Sequence, residues 1–282
     1  VTVRPWLLAA VGVAWAHALP AQSMRPFTTY RQLHGETRLT AKLDFAAGRL
    51  RVLPGRETDL YRMTLAYDGE RFAPISAYDA AMSAVALGVE TVGGAGLRVV
   101  SGEQIRQLAA VELSPHADLT LDVSLGASEA DLELGGLRLS ELHLDTGASR
   151  TAVRFSRPNG IRCTEADITT GAAEVTVAGL GNSRCDRVRL EGGISRATID
   201  FGGSWASSQR AEIAMAVGEL VLRLPRAIPV RITTDRFLAS FEPKGLVRRG
   251  DAWETPGYAA GARHLDVALK ATVGGVRLEW IN

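Results

Sequence analysis

The sequence predicts an all-β chain, a β-solenoid of stacked rungs of about 22 residues. Three observations predict it. Segments of alternating apolar and polar residues recur between residues 118 and 225 with small residues at fixed positions. Gly accounts for 29 of the 282 residues, about a tenth of the chain against a usual ~7%. Aromatic residues make up only 6%. Many tight turns over thin layers of small aliphatic side chains follow from that composition, and little helix.

The first residues carry one positive charge, Arg4, and no negative one, and Pro5 to Ala18 is almost wholly apolar. Small residues around Ala16–Ala18 and Ala21 then complete the order of a secretory signal peptide. The apolar run is shorter than the ~17–25 residues of a spanning helix. Residues 1–22 are therefore expected to be a cleaved signal, leaving a mature protein that is periplasmic or secreted. No later stretch is apolar enough to span a membrane. Lys+Arg total 32 and Asp+Glu 31, so no basic footprint for nucleic acid is present.

Residues 23–115 read as N-terminal strands and a hairpin capping the solenoid. Ala41–Phe45 with Leu50–Val52 has the alternation of a strand, and Leu60–Ile75 reads as a hairpin turning at Asp68-Gly69. Ala77–Leu87 and Glu103–Ala109 have helical composition without a firm helical pattern.

Residues 116–282 read as the solenoid itself. Anchors stand at Gly126, Gly147, Gly171, Gly193 and Ala216, spaced 21, 24, 22 and 23 residues apart. Three residues before them lies an apolar column: Val123, Leu144, Ile168, Leu190 and Ile213. Beyond each anchor the alternation resumes, so each rung is strand, corner, strand, turn. One rung cannot bury its own apolar face, so rungs must stack in register. Residues 226–264, with Pro229, Pro243 and Pro256, read as an irregular excursion with short strands near Val230 and Phe237. Leu265–Leu269 with Val276–Trp280 restores the pattern at the end.

The strings LELGGLRLSELHLDTGASRTAVRFSRPN, ITTGAAEVTVAGLGNSRCDRVRLEGGISRATIDFGGSW and AVGELVLRLP resemble the toast-rack family, the LiaF-like C-terminal domain of bacterial cell-envelope proteins. The resemblance covers roughly residues 40–282. It implies a right-handed single-stranded β-helix and no established catalytic activity. Some relatives carry this domain behind transmembrane helices and modulate sensor kinases of the envelope response.

Candidate chemistry is sparse. Leu142-His-Leu-Asp145-Thr-Gly-Ala-Ser149 matches the loop of retropepsin-like aspartic proteases, in which two Asp residues share a proton. Gly147 already belongs to the repeat, however, and no second Asp-Thr-Gly exists. Cys163 and Cys185 each lie eight residues before an anchor, Gly171 and Gly193. That equal offset places them on adjacent strands ~4.8 Å apart, within disulfide range. Export favours their oxidation. His34, His116, His143 and His264 are scattered without metal-ligand spacing, and neither a metal nor a cofactor is expected. Gly93–Gly96 is too short for a phosphate loop. The outward column Asp122, His143, Asp167, Arg189 and Glu212 mixes signs and is no Ca²⁺ ladder. Trp205, Trp253 and Tyr258 fall in loops as possible contacts to a glycan or an envelope protein, or as plugs of the solenoid ends. The leading function is a non-catalytic exported binding or scaffold module, in envelope stress response or adhesion. The alternatives are a glycan-active enzyme on a β-helix scaffold, an end-to-end assembly protein and, least favoured, a protease using Asp145.

Overall fold

The computed structural model describes residues 24–92, 107–258 and 263–282. The signal segment 1–22 and Gly93–Gly96 lie outside the described residues. The described chain is almost entirely β. Its N-terminal part comprises β1 (Met24–Gln32), β2 (Arg38–Pro54), β3 (Asp59–Asp68), β4 (Phe72–Asp79), β5 (Ala84–Thr91) and β6 (Leu108–Leu113). The repeat region comprises β7 (Asp118–Glu133), β8 (Arg138–Thr146), β9 (Arg150–Arg154), β10 (Cys163–Ala178), β11 (Cys185–Asp200) and β12 (Gln209–Pro225). β13 (Val230–Phe241), β14 (Val247–Arg249), β15 (Ala252–Glu254) and β16 (Leu265–Ile281) complete it. A one-turn helix, α1 (Leu180–Ser183), lies in the turn before β11. The segment 77–87 of helical composition is divided between β4, a turn and β5; of Glu103–Ala109, residues 103–106 lie outside the described residues, and Leu108 and Ala109 open β6.

Each long strand bends once. In β10, Ala166, Ile168 and Thr170 point inward, and after Gly171 the inward set becomes Ala173, Val175 and Val177. The same parity switch occurs in β11 and β12. A pleated strand changes its inward parity only by turning a corner, so both halves of each rung face one core. Corners need small residues because neighbouring rungs touch there: a Cβ on Gly171 would sit 3.1 Å from the Gly147 carbonyl oxygen.

First halves pair with first halves and second halves with second halves, all parallel, in the order β2, β7, β8/β9, β10, β11, β12, β16, β13. Val123, Leu144, Ile168, Leu190 and Ile213 are register partners in succession, and all are buried. The outward column Asp122, His143, Asp167, Arg189 and Glu212 is likewise in register. Arg189 lies 3.7 Å from Asp167 and 3.6 Å from Glu212.

Two sequence expectations are corrected. Asp68 and Arg71 do bracket a turn, but β3 and β4 are no hairpin: β3 pairs with β1 and β6, and β4 pairs with β5. The turn sends the chain from one half-sheet to the other, because β6 pairs with the second half of β2 and β5 with its first half. The excursion 226–264 is also more regular than its prolines suggested. Its Val230–Phe241 runs parallel to β16, with Val230 opposite Leu265 and Phe241 opposite Val276. The prolines lie outside the strand, where no ladder N–H is lost. β13 is thus a terminal rung, and β16 inserts between it and β12.

Candidate functional site

Cys163 opens β10, Cys185 opens β11, and the two are register partners. They are joined by a disulfide with Cα atoms 4.0 Å apart, and both are buried. The Gln209 amide donates to the Cys185 carbonyl at 2.9 Å. Sulfurs closed in a buried bridge neither ligate metal nor attack a substrate, so this element fixes structure.

Asp145 lies on the outward, exposed face of β8. Its register neighbours are Ser124 and Thr169. Hydroxyls on both sides supply no second carboxylate to share a proton, and the protease geometry is not formed within this rung stack.

The three aromatic candidates divide. Trp205 is buried, donating its indole N–H to the Phe201 carbonyl at 2.9 Å, and so packs the core instead of meeting a ligand. Trp253 is half-buried on β15, edge-on to Phe241 at 6.4 Å between ring centroids, and closes the C-terminal end of the core. Tyr258 alone borders a polar surface. Its hydroxyl donates to the Asp266 carboxylate and its ring meets the His264 ring at 5.5 Å. Burial, then that hydrogen bond and the Asp266 charge, push its phenol up to about 12.

Beside Tyr258 a cleft of about 370 Å³ opens across the outer faces of β10, β11, β12 and β16. One column crosses it: Glu165, Arg187, Arg210 and Asp266 are successive register partners. Ser208, Gln209 and His264 form one wall. Ser208 Oγ lies 3.2 Å from His264 Nδ1 and accepts the His264 backbone N–H at 3.2 Å. His264 Nε2 is 3.7 Å from Asp266, too far for a hydrogen bond. A nucleophile relay needs short contacts at both imidazole nitrogens and a free hydroxyl lone pair. These residues instead form a polar wall of the cleft.

The charge in the cleft is uneven. Glu165 is shared by Arg187 at 3.9 Å and Arg189 at 4.0 Å. Asp266 accepts the Tyr258 hydroxyl. Arg210 is left beside another arginine, with no ion pair or hydrogen bond among the described residues. The buried Gln209 Oε1 is also without a partner. Sequence reading missed this site because Ser208 and His264 are 56 residues apart and meet only through the β12–β16 pairing. The available signal was parity: Arg187, Arg210 and Asp266 each stand three residues before a column residue, Leu190, Ile213 and Leu269.

The model of the N-terminal domain of toast-rack proteins, DUF2154, matches residues 22–178. The chain belongs to the toast-rack family. The match begins upstream of the stretch that carried the resemblance and ends with β10, so it takes in the N-terminal strands as part of the family domain. The toast-rack match leaves most of the cleft, on β11, β12 and β16, beyond its end. Among solved structures, a candidate cell adhesion protein from Clostridium sporogenes ATCC 15579 is similar, with TM-score 0.50 and 14% identity, covering 92% of this chain and all of that one. A candidate adhesin from Bacteroides fragilis NCTC 9343 aligns at TM-score 0.45 and 10% identity over 92% of this chain and 99% of that one. The first shares the fold. No curated protein matches the sequence.

Proposed function

We propose that this toast-rack chain is a non-catalytic exported module of the bacterial cell envelope that binds an acidic glycan at the Arg187–Arg210 cleft. Residues 1–22 are removed on export, and the stacked rungs are a right-handed single-stranded β-helix presenting the cleft at its side. Family membership and a fold shared with a candidate cell adhesion protein support the envelope reading. The observation that carries the ligand class is Arg210, a guanidinium without a carboxylate in a cleft whose acids are already engaged. A guanidinium binds a carboxylate bidentately. The Ser208 hydroxyl on the cleft wall suits a sugar hydroxyl.

Calorimetric titration with polygalacturonate tests this, with neutral dextran as the control. Binding of the uronate polymer alone, lowered at least about tenfold by Arg210→Ala, supports the proposal. Equal binding of both polymers, or none, overturns it, as does recovery of an envelope protein on immobilised chain through the same arginine.

A further inference from the structure

The outward positions just past the corner should be small or polar, and in β10 that position is Ala172. In the last four rungs it is not. Ala172 is followed in register by Ile194, Val217, Val273 and Leu238. Their exposures are 67%, 43%, 41% and 67%, and Phe237 beside Leu238 is 77% exposed. These side chains point away from the core, so nothing in its packing requires them. They form an aliphatic ridge along a convex corner, and contiguous exposed apolar surface marks a contact site.

The other end of the molecule carries a complementary form. The outer faces of β1, β3, β6 and β2 form a groove of about 480 Å³. One floor row is Pro26, Ala66 and Leu108, in register and ending at Arg49. The next is Thr28, Thr64 and Ala110, ending at Arg51. The floor is small and mostly apolar, with Leu108 53% exposed. Ridge and groove each cross four strands, about 14 Å at the ~4.8 Å strand spacing.

The charges match as well. Arg49 is engaged by Glu129 at 2.8 Å, whereas Arg51 makes no ion pair among the described residues. Flanking the ridge, Asp235 and Glu191 are exposed and likewise unpaired there. We propose that the corner ridge of one copy seats in the N-terminal groove of a second copy, with Asp235 facing Arg51, so that the protein associates head to tail. The two patches lie at opposite ends of the strand order. Such a heterologous contact leaves a free ridge and a free groove on every assembly and propagates beyond a dimer. This assembly is independent of the glycan cleft, which lies on the other half of each rung.

Sedimentation velocity of the mature chain between micromolar and millimolar concentration tests it. The weight-average sedimentation coefficient should rise without a plateau at the dimer. Leu238→Asp should weaken association at least about tenfold, because it sets a charge in the apolar contact. Arg51→Glu and Asp235→Arg should each weaken it, and the two combined should restore it. All three side chains are exposed, and thermal melts matching wild type verify that the variants fold. A chain that stays monomeric throughout overturns the proposal. So does a dimer that grows no further, association indifferent to Arg51→Glu, or failure of the combined swap to restore it. Glycan binding is unchanged by these variants if both proposals hold.

Discussion

Cys163 and Cys185 face each other as register partners at the start of adjacent strands and are bridged, closing a loop of 22 residues. The bridge ties β10 to β11 beside the long turn that precedes β10 and contains Arg157, Pro158, Asn159 and Gly160. Asn159 stabilises that turn too, its side-chain carbonyl accepting from the Leu139 N–H at 2.8 Å and its amide donating to the Leu139 carbonyl at 2.7 Å.

Replacing both cysteines by alanine should cost about 3 kcal/mol through the freed chain entropy of the unfolded state. Urea denaturation of the double variant against the oxidised wild type measures it. Thiol titration of the denatured, unreduced protein should find no free thiols.

Leu190→Asp should destabilise by at least about 3 kcal/mol, because the carboxylate meets only Ile168 and Ile213 in its column. Glu191→Ala, one residue along and exposed, should stay within about 0.5 kcal/mol of wild type. Equal thermal shifts for the two would refute the inward assignment.

Gly218→Ala is a test of rung contact. Its φ is +145° and a Cβ there would lie 1.8 Å from the Ser195 carbonyl oxygen. A loss of at least about 2 kcal/mol is expected from strain and overpacking together. Gly147→Ala, where the new Cβ meets the Gly126 carbonyl oxygen at 3.3 Å, should cost clearly less in the same denaturation assay.

Arg49, Glu129, Arg150, Glu174, Arg196 and Glu219 alternate in sign along one outward column. The Arg150–Glu174 pair lies at 3.2 Å but is well exposed, so Glu174→Ala should cost under about 0.5 kcal/mol. Glu174→Arg would set three positive side chains in a row and should cost about 1 kcal/mol, recovered in high salt. Melting temperatures at low and high ionic strength separate the two.

Tyr258 should ionise near 12 in a spectrophotometric titration. Its pKa is raised on folding, so the folded state holds the proton more tightly. The associated stability is full below about 10, the unfolded value, and is lost as pH rises through the folded value. Asp266→Asn should move the ionisation back toward the ordinary value, because it removes the carboxylate charge that opposes tyrosinate.

The sequence by itself determined which residues point inward and which columns stack. A repeat of near-constant length places like positions at like offsets, and parallel in-register pairing turns those offsets into contacts. The core column through Leu190 and the Cys163–Cys185 pairing follow from that alone. Tertiary structure decided the ends. Any alternating strand fits any free sheet edge equally well, so the pattern of Leu265–Leu269 cannot tell that β16 slips inside β13. Nor can the Asp68-Gly69 turn tell that its two strands part. The cleft inherits that ambiguity. Ser208, Arg210, Tyr258, His264 and Asp266 converge only because β16 pairs with β12 across a long chain separation, a choice made by the packing of whole rungs and invisible to local period.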